Sequence, residues 1–143
     1  MARYRTVVPS SLTQEDAFAY MADFTNALEW DPSVSRAQRD DDGPVAQGAA
    51  FDLVARFGGR DVPLRYTVLE YDPPRRVVLE ARRQDFVSRD TLTVEPGPAG
   101  SVLTYDARLD FQGFRRLFDP VMQLLFRRLG DRARAGMQRA LNP

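Results

Sequence analysis

From residue 33 to residue 111 apolar and polar side chains alternate with a period of two, and after residue 113 the pattern changes to that of a helix. The alternating region divides into strands at about 33–39, 48–57, 61–71, 75–82, 85–95 and 101–111. The breaks are Asp-Asp-Asp-Gly-Pro at 40–44, Gly58-Gly59, Asp72-Pro73-Pro74, a tight turn near Arg83-Gln84, and Pro-Gly-Pro-Ala-Gly at 96–100. Each is turn chemistry, with Gly supplying positive φ and Pro a preset φ. Connections this short make an antiparallel meander. One face of it carries Phe51, Leu53, Ala55 and Phe57, then Val62, Leu64, Tyr66 and Val68, then Val77, Leu79 and Ala81. Phe86, Ser88, Asp90, Leu92 and Val94 follow, and Leu103, Tyr105, Ala107, Leu109 and Phe111 complete it. The other face is mostly Asp, Arg, Glu and Thr, as a half-solvated sheet requires.

Before this region, residues 3–8 read as a strand ended by Pro9. Ser11 and Gln14 have the spacing of a capping box, so a first helix is expected near 12–22. Asp23 can cap a second near 24–29, which Asp31-Pro32 ends. At the other end, Phe118, Met122, Leu125, Leu129, Ala133, Gly136 and Ala140 fall within an arc of roughly 80° on a helix spanning roughly 115–141. Pro120 is either its first turn, with Asp119 as N-cap, or a kink. Leu125 and Leu129 are expected to be buried. One curved antiparallel sheet around one long helix buries both apolar faces, an α+β arrangement.

Composition narrows the chemistry. All 20 basic residues are Arg, and His, Cys, Lys and Ile are absent. Without His and Cys there is no Ser-His-Asp triad, no Cys nucleophile and no zinc site of the usual kind. Without Lys there is no Schiff base. Catalysis is left to carboxylates, Tyr, Ser, Thr, Arg, backbone or water. No metal or other cofactor is expected; the Asp40-Asp41-Asp42 carboxylates diverge, and no further ligand is set by spacing. The 143 residues suit a single domain, 1–143. Net charge is zero, so no global field points to nucleic acid. There is neither a signal-peptide h-region nor a membrane-length apolar run, so a cytoplasmic protein is expected. Arg without Lys, and Ala, Gly and Pro without Ile, point to a GC-rich bacterial source.

The order of elements resembles the Bet v 1 / START-like (SRPBCC) superfamily, and in particular its bacterial polyketide cyclase/dehydrase-like proteins. The residues that carry the resemblance are Ala-Phe-Ala-Tyr-Met-Ala-Asp-Phe-Thr-Asn-Ala-Leu-Glu-Trp-Asp-Pro at 17–32 and the strand pair at 66–79. The stretches 90–96, 101–105 and 109–113 complete it, so that it covers nearly the whole chain. The resemblance implies a helix-grip fold: a seven-stranded curved antiparallel sheet wrapped around a long C-terminal helix, with two short helices after the first strand. It also implies a cavity between sheet and helix that takes a small, mostly apolar molecule.

The expected ligand-binding residues are Trp30, Phe51, Leu53, Tyr66, Leu79, Ser88, Asp90, Tyr105, Phe118, Met122 and Leu125. Asp90 is the sharpest candidate, because its phase places a carboxylate inside, where it must be hydrogen-bonded or paired. Asp90 and Tyr105 are the candidates for acid/base catalysis. The competing reading puts Asp90 at an open rim, or turned outward by a bulge. Tyr66, Tyr105 and Ser88 are either polar anchors or ordinary core residues. Trp30 either lines a mouth of the cavity or plugs the helix pair onto the sheet. Arg65, Arg89 and Arg108 fall out of phase and read as salt-bridging groups on the convex face.

Two functions follow. The first is binding or transport of a small hydrophobic, lipid- or polyketide-like ligand. The second is a cyclase, aromatase or dehydratase-type enzyme using the same cavity. An inward carboxylate within hydrogen-bond reach of a tyrosine favours the enzyme; a cavity without such a pair favours the carrier. Two protein partners are compatible with the sequence: a second copy of the chain, and an acidic carrier protein docking on the Arg-rich last helix. The latter competes with the plain reading of a solvated face.

Overall fold

The computed structural model describes residues 1–113 and 119–143. The strands are β1 (Ala2–Ser10), β2 (Val34–Arg39), β3 (Ala50–Phe57), β4 (Arg60–Asp72), β5 (Arg76–Arg82), β6 (Phe86–Gly97) and β7 (Gly100–Phe111). They form one antiparallel sheet in the order β1-β7-β6-β5-β4-β3-β2. Gly58 and Gly59, with φ of 61° and 79°, make the two-residue turn from β3 to β4. β1 continues through Pro9 to Ser10 rather than stopping at the proline, because β1 is an edge strand and one side of Pro9 has no ladder to lose.

Between β1 and β2 lie helix α1 (Gln14–Ala22), a 3-10 turn at Phe24–Asn26, and the single-turn helix α2 (Ala27–Trp30). The cap of α1 is Thr13, not Ser11: its side chain accepts from the Asp16 N–H at 3.1 Å. Gln14 is drawn away from any capping box and donates to the Val94 carbonyl instead. Asp23 caps the 3-10 turn through Thr25, as its position predicts.

The C-terminal helix α3 is described from Asp119 to Ala140. The expected residues 115–118, and with them the choice between a helix start and a kink at Pro120, lie outside the described residues. α3 runs beside β1. Arg3 N–H donates to Gln123 Oε1 at 2.8 Å, and Gln123 Nε2 donates to the Arg3 carbonyl at 2.9 Å, so one side chain stands in for a missing strand. Tyr4 donates to Asp131, and Ser10 Oγ donates to the Leu141 carbonyl.

Ala133, Met137 and Leu141 are the buried apolar side chains of this region, the last two fully so. Leu125 and Leu129 are only half-buried, a departure from the expected stripe. The contact line is rotated toward Phe126 and Gly130, because α3 follows the β1 edge rather than the sheet's centre. Small residues resolve into two kinds. Ala55, Ala107 and Ala133 border a cavity. At Gly136, by contrast, a Cβ would overlap the Trp30 carbonyl oxygen, so there the missing side chain permits contact of α3 with α2.

On the convex face Glu80 is buried, and its carboxylate accepts from Arg82 Nε at 2.6 Å and from Arg89 at 2.9 Å and 2.5 Å. Arg65 bridges Asp40 and Asp52. Among the described residues no helix is long and apolar enough to cross a membrane.

Candidate functional site

Register decides what faces the sheet's concave side. β6 pairs without interruption with β7 from Phe86 to Gly97 and with β5 from Val87 to Thr93. The bulges lie elsewhere, between Val34 and Arg36 and between Val68 and Glu70. Phe86, Ser88, Asp90, Leu92 and Val94 therefore point inward together and are all buried, Asp90 with 4% of its surface exposed. Outward rotation of Asp90 by a bulge is excluded.

Asp90 and Ser88 border a cavity of about 110 Å³ between the sheet, α2 and α3. Its polar lining residues include Trp30, Asp31, Ser33, Tyr66, Ser88, Asp90 and Tyr105. Its body is apolar and includes Phe24, Leu53, Leu64, Leu109, Phe126 and Leu129. Exposed Arg56, with Phe57 and Val62 of the β3–β4 hairpin, also borders it, and the Arg56 backbone N–H donates to the Ser33 carbonyl at 2.8 Å.

The polar groups are paired within the cluster. Tyr105 donates to Asp90 Oδ2 at 2.8 Å. Tyr66 Oη and Ser88 Oγ share a hydrogen bond of 2.9 Å. Asp31 Oδ1 accepts from the backbone N–H and the hydroxyl of Ser33 at 2.9 and 2.8 Å. Burial pushes the Asp90 carboxyl up to about 7; the Tyr105 hydrogen bond opposes this, and the nearby Asp31 and Asp106 charges add to it. Burial also raises the Asp31 carboxyl, against the two Ser33 hydrogen bonds. Tyr105 and Tyr66 are held well above the ordinary phenol range, first by burial and then by the charge of Asp90. The Tyr105 hydroxyl is therefore a hydrogen-bond donor at neutral pH. Asp90 is divided between its acid and base forms there, which suits a group that must both take and give a proton.

Trp30 is 2% exposed and meets the Tyr105 ring edge-on, with centroids 5.7 Å apart. It plugs α2 onto the sheet and borders the cavity from within, rather than lining an open mouth. Its Nε1–H has no hydrogen-bond partner among the described residues.

Of the expected ligand-binding residues, Trp30, Leu53, Tyr66, Ser88, Asp90 and Tyr105 border this cavity. Phe51, Leu79, Met122 and Leu125 do not. Phe51 is fully buried and packs against the Phe24 ring, which fills the space before it. Leu79 is sealed in the core. Met122 packs on a separate cluster of Ala2, Phe86, Leu109 and Phe111. Leu125 is turned from the cavity by the rotation of α3. Phe118 lies outside the described residues. Sequence reasoning missed Asp31 and the α3 pair Phe126 and Gly130. The Asp-Pro-Ser spacing at 31–33, which suits a side-chain-to-backbone turn, was the available signal for Asp31.

A model of the family described as "Polyketide cyclase / dehydrase and lipid transport" matches residues 1–142. Comparison with curated protein sequences gives no match. Among solved structures, a Thermus thermophilus protein is 15% identical, with a TM-score of 0.78, and the match covers 98% of this chain and 95% of that one. A START superfamily protein from Mycobacterium smegmatis is 14% identical, with a TM-score of 0.78, covering 99% and 97% of the two chains. The di-domain ARO/CYC StfQ of the steffimycin biosynthetic pathway is 15% identical, with a TM-score of 0.72, covering 98% of this chain and 50% of that one. At these identities the structures share the fold with this chain.

Proposed function

The chain belongs to the polyketide cyclase/dehydrase and lipid transport family, and from that premise we propose that its cavity receives a small, mostly apolar molecule on which Asp90 moves a proton. The activity would be of the cyclase, aromatase or dehydratase kind. The observation that supports chemistry over carriage is the buried Asp90–Tyr105 pair at 2.8 Å. Tyr105 occupies Oδ2 and fixes the carboxyl, leaving Oδ1 for the ligand. Holding a flexible chain in a reactive geometry would supply most of the rate. A positioned acid/base would add about 10²–10⁴-fold.

Binding or transport without chemistry is the second reading, favoured by the largely apolar body of the cavity. In both readings residues 1–143 act as one START-like domain in the cytoplasm. An acidic carrier protein meeting the exposed Arg127, Arg128, Arg132 and Arg134 of α3 is the partner that fits delivery of a chain.

Native mass spectrometry of the protein purified from its own source tests the common ground by seeking a co-purified ligand. Thermal melts with fatty acyl and single-ring apolar probes should show a raised Tm by linkage. No shift with any probe would refute a ligand cavity. With a co-purified ligand in hand, Asp90→Asn that binds it and leaves it unconverted marks an enzyme. Absence of conversion by the unmutated protein marks a carrier.

A further inference from the structure

The groups bordering the cavity that can carry charge are Tyr4, Asp31, Arg56, Tyr66, Asp90 and Tyr105. The three phenols are held above their ordinary range and are neutral. The one base, Arg56, turns its guanidinium to Asp61 at 3.5 Å and to the Gly59 carbonyl at 3.3 Å, on the exposed hairpin. Asp31 and Asp90 are left without a cation among the described residues.

Their oxygens are only half used. Asp90 Oδ2 accepts from Tyr105, but Oδ1 makes no hydrogen bond among the described residues. Asp90 is more than nine-tenths buried, yet this unbonded atom still has surface that water can reach, so it opens on the cavity that Asp90 borders. In Asp31 both hydrogen bonds from Ser33 fall on Oδ1 and leave Oδ2 free in the same way. Neither charge state of Asp90 repairs this. A carboxylate leaves Oδ1 a bare acceptor, and an acid, with Oδ2 held by Tyr105, leaves its proton on Oδ1 without an acceptor.

We propose that the cavity recognises a cation: its ligand carries an amine, as an ammonium, against Asp90 Oδ1 and within the field of Asp31, on an apolar body no larger than one small ring. The inference rests on the reading that the cavity takes a ligand, and it adds what charge that ligand brings.

Three features define that class. An ammonium has donors only, which suits the bare carboxyl oxygens. A neutral amine that meets the acid form takes the Oδ1 proton and makes the same ion pair. Second, the charge of Asp31 adds to burial in opposing ionisation of Asp90. A cation offsets both effects, whereas a neutral donor fills Oδ1 and leaves the repulsion, and a carboxylate increases it. The Tyr66–Ser88 pair does not discriminate, because its hydroxyls can each donate or accept. Third, the remaining wall is apolar, with Leu53, Leu64, Leu109 and Phe126. The volume of about 110 Å³ is below the roughly 150 Å³ of a cavity known to hold benzene, which keeps the body to one small ring.

Cyclopentylamine is the probe. Methylcyclopentane matches its shape without charge or donor, and cyclopentanol has a neutral donor. In calorimetric titrations at pH 8 the amine should bind about tenfold tighter than either. In Asp90→Asn that preference should vanish while methylcyclopentane still binds. In carbon-13 NMR of the unmutated protein, saturating amine should lower the Asp90 midpoint, because the cation binds the carboxylate better than the acid. Amine binding no tighter than that of cyclopentanol or methylcyclopentane, or a preference kept in Asp90→Asn, would overturn the assignment and leave the ligand cavity standing. Tighter binding of cyclopentanecarboxylate than of the amine would overturn it as well. Binding of none of the four would remove the assignment and the ligand cavity together. Should Asp90→Asn fail to fold, the Asp90 midpoint in the unmutated protein decides the matter, and a midpoint that the amine does not lower overturns the assignment.

Discussion

Tyr105 and Asp90 sit diagonally across the β6–β7 ladder, Asp90 opposite Ala107 and Tyr105 opposite Leu92, and their side chains close a 2.8 Å hydrogen bond on the concave face. The hairpin alone supplies both members. The pair is therefore built into the sheet and does not depend on α3 for its geometry.

A carboxyl that titrates near 7 in the folded chain, rather than near 3.8, costs on the order of 4 kcal/mol to ionise in place. Its raised folded value means that the native state holds the proton longer than the unfolded chain does. Its contribution is fully present below the unfolded value and is lost as pH rises from about 4 to about 7. Asp90→Asn removes this loss and keeps an acceptor for Tyr105. Its Tm should equal or exceed that of the unmutated protein at pH 8, and the gap should close toward pH 4. A variant less stable by about 1–3 kcal/mol at every pH would instead assign Asp90 a purely structural role.

Tyr105→Phe takes away the hydrogen bond that favours the charged carboxylate. The Asp90 midpoint should climb further above 7, visible as a shifted carboxyl titration in carbon-13 NMR. Stability should fall by about 1–3 kcal/mol, since a buried acceptor loses its donor.

Glu80 is the opposite case. Burial disfavours its charge, yet the hydrogen bonds and charges of Arg89 and Arg82 outweigh this and hold it below the usual range. Its stabilisation is present above the unfolded value and is lost as pH falls through the folded one. Glu80→Gln should cost on the order of 1–2 kcal/mol at pH 7, with Arg82 and Arg89 exposed and able to recover water. The deficit should shrink toward pH 3 in chemical denaturation.

Two glycines of α3 should answer differently to alanine. At Gly136 the obstacle is the Trp30 backbone carbonyl, which cannot rotate away. At Gly130 it is the Tyr4 ring, a side chain at the sheet edge. Gly136→Ala should lose roughly 2–3 kcal/mol despite better helix propensity. Gly130→Ala should lose less, and the two melting curves give the comparison.

The side of the sheet on which Tyr66, Ser88, Asp90 and Tyr105 lie was legible because β6 and β7 have no bulge between them and the β4 bulge falls after Tyr66, so the period of two carries the facing. Phe51 and Leu79 obey the same alternation and still miss the cavity. Alternation gives the face but not the height of what covers it, and Phe24 covers Phe51. On α3 the periodicity gave a stripe but not its rotation. Gln123 bonding to Arg3 and Gly136 against Trp30 fix that rotation, and both are long-range contacts. Asp31 was hidden because its neighbour Pro32 accounts for the end of α2 without reference to where the carboxylate goes.

Gly100 closes the β6–β7 turn at φ 148°, and a Cβ there would come within 2.5 Å of the Leu12 carbonyl oxygen. That tight seat makes the turn a ruler for the cavity. One residue added or removed between Gly97 and Gly100 would slide one strand past the other and turn its whole row inside out, carrying either Asp90 or Tyr105 to the convex side. A two-residue change would keep both rows facing in but part the hydroxyl from its carboxylate by a full pleat. The acid/base character of the interior is thus counted out at a surface loop that touches neither residue.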